Sequence, residues 1–303
     1  MLKQAVEMYL DVRRTAGFRL DTVGRYLHDF ARFAAEQGNT HVVAQTAIAW
    51  AAQSCSEPQR ATRLNTVIGF ARFSHAEDPR HEIPPEKVFD RQRHRPLPYI
   101  FTEAEIHALV SQAAQLGPSG SLRPDTYRTL LGLLAVTGLR ISEALALRLE
   151  DVTSDGLVIR ETKFRKSRLV PLHDTTVVAL MRYLNKRGHV ASTDDHLFIS
   201  QRHQRLSPTV VYQTFYHLLA KAGIPAVPGR RRPRLIDLRH TFATRALETC
   251  PDGRDQVRQH MLALTTYMGH AQVESTYWYL ERTPELMCDI AQACEALIEE
   301  GLS

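Results

Sequence analysis

At 303 residues the chain is longer than a usual single core, which predicts two domains of unequal size. Hydrophobic residues make up 44% and charged residues 23%, an ordinary balance for a soluble globular protein, and no uncharged apolar run is long enough to span a bilayer. The net charge of +5 suits an anionic polymer as partner, although a solvated basic surface is as good an account of it.

The opening stretch carries Lys3, Glu7, Asp11, Arg13 and Arg14, which leaves no apolar core for a signal peptide, so the protein is expected in the cytoplasm. From Leu20 onward, Leu20, Val23, Tyr26, Leu27, Phe30 and Phe33 recur at helical spacing, with Asp21, Arg25, Asp29 and Arg32 on the opposite face. A second amphipathic stretch follows Ser56-Glu57-Pro58, with Leu64, Val67, Phe70 and Phe73 as its apolar face. Residues 84–98 combine prolines with Arg91, Arg93 and Arg95, the composition of an extended basic connector. The domain boundary is placed there, giving an all-helical domain over 1–94 and a larger one over 95–303.

The second domain opens with Thr102 and Glu105, spaced as a capping box. Further helices are predicted around residues 123–138, 175–188, 208–223, 236–250 and 284–300. Strand signal is confined to residues 155–172, where Leu157 to Ile159 and Leu169 to Val170 flank a basic turn at Lys163 to Ser167. The expected fold is mainly α with a small β-sheet. Cys55, Cys250, Cys288 and Cys294 are scattered with no CxxC pair, and neither DxD nor HExxH occurs, so no metal or other cofactor is expected.

Four segments carry candidate chemistry. In TGLRISEALALRLEDV, Gly138 ends one helix and Arg140 opens the next, with Glu143 three residues on and able to pair with its guanidinium; alone this is equally a surface ion pair. The hairpin tip holds Lys163, Arg165, Lys166 and Arg168, suited to following phosphates and also to simple solvation. Arg239 stands at a helix start after the basic approach of Arg230, Arg231, Arg232 and Arg234. His270 follows Gly269, nine residues before Tyr279; a lone His or Tyr is usually a packing residue. Two arginines, a lysine, a histidine and a tyrosine are together a sufficient set for transferring a DNA phosphodiester to a side chain without metal.

In this order and spacing, TGLRISEAL, TKFRKSRLVPL, LRHTFAT and YMGHAQVESTYWY resemble the motifs of the tyrosine recombinase (phage integrase) family over nearly the whole chain. The resemblance implies a two-domain C-shaped clamp on DNA, with a helical core-binding domain and a catalytic domain. It implies that Arg140 and Arg239 hold the scissile phosphate, that Glu143 orients the site and that Lys163, in preference to Lys166, protonates the departing 5′ oxygen. His270 would hydrogen-bond the phosphate, and Tyr279 would attack it to form a 3′-phosphotyrosine. The basic residues Arg165, Lys166, Arg168, Arg230, Arg231, Arg232 and Arg234 would contact double-stranded DNA. It further implies a homo-tetramer on paired recombination sites that exchanges a tail helix; Leu286, Ile290, Ala293, Cys294, Leu297 and Ile298 do give the tail an apolar stripe, which packing on its own domain explains about as well. Where the family usually has a histidine three residues before the second arginine, this chain has Ile236, and His240 is no evident substitute. Two other readings stay open: a type IB topoisomerase, and a DNA-binding protein of the same fold that has lost catalysis.

Overall fold

The computed structural model describes residues 2–18, 20–89, 97–160, 167–224, 232–249 and 254–269. The chain divides into two compact units, Met1–Arg95 and Pro96–Ser303.

Four helices form the first unit: α1 (Leu2–Thr15), α2 (Asp21–Glu36), α3 (Ala44–Ala52) and α4 (Glu57–Glu77). The apolar faces read from the sequence of α2 and α4 point inward, with Leu27, Phe30, Leu64, Val67 and Phe70 buried around Leu10 and Trp50. Leu20 is an exception to the periodicity, since it precedes α2 with φ of 49° rather than belonging to it. Trp50 lies edge-on to Phe30, its Nε1 donates to Asp29 Oδ2 at 3.1 Å, and the Arg63 guanidinium sits 4.0 Å from its ring centroid. A buried indole needs an acceptor, and Asp29 supplies one while also accepting from Arg63 at 3.2 Å.

The second unit begins with α5 (Glu103–Ala113), whose capping box forms as expected: Thr102 Oγ1 accepts from Glu105 N at 3.2 Å and Glu105 Oε2 accepts from Thr102 N at 2.8 Å. Helix α6 (Arg123–Thr137) follows, then the short α7 (Ile141–Ala144), a three-stranded antiparallel sheet, and α8 (Asp174–Gly188), α9 (Pro208–Lys221), α10 (Ile236–Glu248) and α11 (Arg254–Met268). The sheet runs β1 (Val152–Thr153), β2 (Gly156–Ile159), β3 (Arg168–Val170), with Leu157 opposite Val170 and Ile159 opposite Arg168. Leu130, Leu134, Leu145, Leu157, Val170, Phe198 and Phe215 belong to one core joining α6, the sheet, α8 and α9. Among the described residues no helix is long and apolar enough to cross a membrane.

Gly138 closes α6 in the left-handed region with φ of 60°, and a Cβ there would lie 2.5 Å from Phe242 Cδ1. Phe242 is itself stacked on Tyr267 at 5.5 Å between centroids, so its ring has little room to retreat. Gly138→Ala is expected to destabilise the protein by about 2–4 kcal/mol, from the left-handed backbone and the clash together. A denaturant midpoint unchanged from the parent would show that the α6 turn and α10 adjust more freely than their packing implies.

Candidate active site

The turn out of α6 places Arg140 in extended backbone as the N-cap of α7, and Glu143 lies at the third position of that helix. Glu143 Oε2 accepts from the Arg140 backbone N–H at 3.0 Å, and Oε1 accepts from Arg140 Nη1 at 2.7 Å. The side chain of Glu143 is only 8% exposed, whereas that of Arg140 is 33% exposed. This is not the solvated surface pair that the spacing alone allows. The carboxylate is buried and the guanidinium reaches the surface.

A third group completes the pair. Arg168, the first residue of β3, donates from Nη1 to Glu143 Oε1 at 3.2 Å and from Nη2 to Oε2 at 2.9 Å. Burial pushes the Glu143 pKa up, but hydrogen bonds and charge from Arg168, joined by Arg140, outweigh it, and the carboxyl sits below its ordinary range. Glu143 is therefore ionised at neutral pH, between two permanent cations.

The three arginines of the site converge on the end of α11. Arg168 Nε donates to the Tyr267 carbonyl at 2.8 Å, Arg239 Nη2 to the Met268 carbonyl at 2.7 Å, and Arg140 Nη2 to the Gly269 carbonyl at 3.2 Å. The last carbonyls of a helix lack partners within it and carry the negative end of its dipole, so guanidiniums satisfy both needs at once. Gly269 has φ of 64°, and a Cβ there would meet Arg168 Nη1 at 2.7 Å, so a glycine lets the guanidinium lie against the turn. Arg239 is buried, and its Nη1 also donates to the Gly138 carbonyl at 2.6 Å, tying α10 to the turn that presents Arg140. Three segments far apart in sequence are thereby brought to the residue immediately before His270.

Arg168, counted from sequence among the exposed basic residues of the hairpin tip, instead turns inward with an 11% exposed side chain, because the pleat puts it on the face of buried Val170. Arg234 is held by Asp237, which accepts from its Nη2 at 2.7 Å and its backbone N–H at 2.7 Å, so it secures the buried carboxylate at the start of α10. Arg232 is exposed, with its guanidinium 4.2 Å from the Tyr216 ring centroid. Ile236 begins α10, half-buried, one turn before Arg239. Lys163, Arg165, Lys166, Arg230, Arg231, His270, Tyr279 and the apolar stripe of the tail lie outside the described residues.

Two groups among the described residues each bring together three side chains able to ligate a metal, His41–Asp78–His81 and Asp194–Asp195–His196. Some of their acceptor atoms also take hydrogen bonds from the protein: His81 Nδ1 accepts from Val42 N and Asp78 accepts from Arg80, while Asp194 accepts from His196 and Arg205 and Asp195 from Arg148.

The Phage integrase family profile matches residues 99–285, which include all four motif segments. The chain belongs to the phage integrase family of tyrosine recombinases. It is 39% identical over 308 residues to the integrase/recombinase y4rB of Sinorhizobium fredii, covering 98% of this chain and 98% of that one. It is 31% identical over 299 residues to tyrosine recombinase XerD of Caulobacter vibrioides, covering 95% of this chain and 93% of that one. Among solved structures, the XerH recombinase bound to palindromic difH substrate aligns over 91% of this chain and 80% of that chain, with a TM-score of 0.68 and 18% identity. A lambda integrase tetramer bound to a Holliday junction aligns over 92% of this chain and 76% of that chain, with a TM-score of 0.61 and 16% identity. These alignments show the fold. The recombinase is thus an enzyme of site-specific recombination on DNA.

Proposed function

We propose that this recombinase moves a mobile genetic element by integration, excision or transposition, cutting and rejoining each strand through a covalent bond between DNA and Tyr279. The observation that carries this reading is the convergence of Arg140, Arg168 and Arg239 on consecutive carbonyls at the end of α11, directly ahead of His270. An arginine has five N–H donors, and Arg140 engages Glu143 and Gly269 through one Nη each, which leaves donors for a phosphate oxygen.

The proposed step balances simply. The Tyr279 hydroxyl oxygen forms a bond to phosphorus as its proton passes to water, the bond from phosphorus to the 5′ oxygen breaks, and Lys163 gives that oxygen a proton. The products are a 3′-phosphotyrosine and a free 5′ hydroxyl, which, or an equivalent from another duplex, reverses the step without ATP. Arg140 and Arg239 stabilise the extra negative charge on the nonbridging oxygens in the transition state, and His270 donates a hydrogen bond to it. The first unit, with exposed Arg25 and Arg32 on α2, would supply a further grip on the duplex, as would Arg165, Lys166, Arg230, Arg231 and Arg232. A homo-tetramer joined by tail helices would hold two duplexes together. Work on DNA of this kind would be done in the cytoplasm.

The test begins by selecting a binding site from genomic fragments with the parent protein, then nicking that duplex at successive positions. A nick beside the scissile phosphate releases the 5′ fragment and traps the adduct, which a denaturing gel resolves and peptide mapping assigns. No adduct at any nick would overturn the reading.

One observation favours a second reading, a DNA-binding protein with a disabled site: Ile236 can neither donate a hydrogen bond nor move a proton. A positioned acid or base contributes a factor of about 10² to 10⁴ in rate. Because the hydrogen bonds that hold Arg140 and Arg239 run to Glu143, Gly138, Met268 and Gly269, the parent is expected to form adduct, and Ile236→His to change its rate by less than about tenfold. Adduct from Ile236→His alone, with none from the parent, would instead support the binding-protein reading.

A further inference from the structure

Arg168 is engaged by every nitrogen of its guanidinium: Nη1 and Nη2 on Glu143, Nε on the Tyr267 carbonyl. It belongs to β3, Glu143 to α7 and Tyr267 to α11, so one side chain links the hairpin to the two segments that flank the phosphate site. We propose that Arg168 is a positioning residue for phosphate transfer, which holds Glu143 so that Arg140 keeps its charge for the scissile phosphate. This rests on the phosphotyrosine reading above and adds to it a role for a residue that does not touch the DNA.

The physical case is one of charge and geometry. Glu143 has about four lone-pair sites, and four donors fill them: the Arg140 N–H and Nη1, and Arg168 Nη1 and Nη2. The carboxylate cannot rotate, and the arginine bound to it is aimed. Two guanidiniums about one carboxylate also leave a net charge of +1, on the more exposed partner, Arg140. Without Arg168, the buried carboxylate would keep Arg140 as its counter-charge among the described residues. The pair would then be neutral, and Arg140 would be drawn to Glu143 in competition with the phosphate.

Strand cleavage of the selected, nicked site is to be measured in a single turnover for the parent, Arg168→Met, Arg168→Lys and Arg140→Ala, on two substrates. One carries the natural phosphate at the cleaved position and the other a methylphosphonate, which lacks one nonbridging oxygen and its charge. On phosphate, Arg168→Met should cleave about 10- to 100-fold more slowly than the parent, with Arg168→Lys between them because it restores charge but not the fork. On methylphosphonate the differences among parent, Arg168→Met and Arg140→Ala should shrink to within about threefold, since there is less charge to balance.

A merely structural role for Arg168 gives the same deficit on both substrates, and that result would overturn the inference. So would Arg168→Met cleaving phosphate at the parental rate. If Arg168→Met does not fold, Arg168→Lys decides by the same comparison of substrates, and failure of both to fold would mark Arg168 as structural and refute the inference. A parent that forms no adduct would count instead against the phosphotyrosine reading, so the two failures are distinct.

Discussion

Tyr279→Phe is expected to reduce covalent adduct below detection while leaving DNA affinity within about threefold of the parent, because it removes the nucleophile and little else. The expectation is specific to this tyrosine. Tyr277, two residues away, would face elsewhere on a helix. Tyr267 is described by the structure, and its surroundings argue against it: its ring stacks on Phe242, and burial raises its pKa, offset only in part by Arg168. A free tyrosine already has a pKa near 10, so a hydroxyl pushed higher makes a poorer attacking oxygen. The measurement is a denaturing gel of nicked, labelled substrate incubated with each protein, beside a native gel shift. Adduct persisting in Tyr279→Phe would move the nucleophile elsewhere, and its loss from Tyr267→Phe at full stability would name the replacement.

The second large effect concerns the two arginines, for which the structure separates catalytic from structural consequences. Arg140→Ala and Arg239→Ala are each expected to slow single-turnover cleavage by about 10² to 10³, the scale for losing one preorganised charge at a transition state. Their stabilities should differ. Arg239 is 4% exposed and satisfies the carbonyls of Gly138 and Met268, which Arg239→Ala would leave without it, at a cost of about 1–3 kcal/mol for each buried acceptor. Arg140 is a third exposed, and although its removal takes a cation from Glu143, Arg168 and the backbone N–H of residue 140 remain on that carboxylate. Arg140→Ala should therefore unfold close to the parental temperature and Arg239→Ala clearly below it. Either variant cleaving within about threefold of the parent would remove that arginine from the phosphate site.

Much of the local structure was legible in the residues themselves. The apolar faces of α2 and α4, the Thr102 capping box and the Gly138 helix end each depend on neighbours a few positions apart, and the β2–β3 pairing on one short hairpin, where periodicity, side-chain caps and turn chemistry decide the outcome. Helix α11 was not anticipated: its sequence has only scattered apolar residues, and of these Met261, Leu264 and Met268 are buried through packing with Ala243 and Leu247 of α10. The motif order likewise pointed to the family, and with it to Arg140, Glu143 and Arg239, before any geometry.

What the sequence by itself determined, then, is most of the elements, which family the chain belongs to and which residue types are available for phosphate transfer. Only the tertiary structure decided what the described basic side chains touch. Arg168 and Arg232 are equally charged letters in equally basic segments, yet one lies beneath Glu143 and the other rests on Tyr216. The alternation of a three-residue strand leaves open whether Leu169 or the pair Arg168 and Val170 faces the core; the partner strand and α11 settle it, with Leu169 48% exposed and Val170 buried. The carbonyls that gather the three arginines become acceptors only because α11 ends there. A charge is read from one residue, but its use depends on which unpaired groups the fold brings to it.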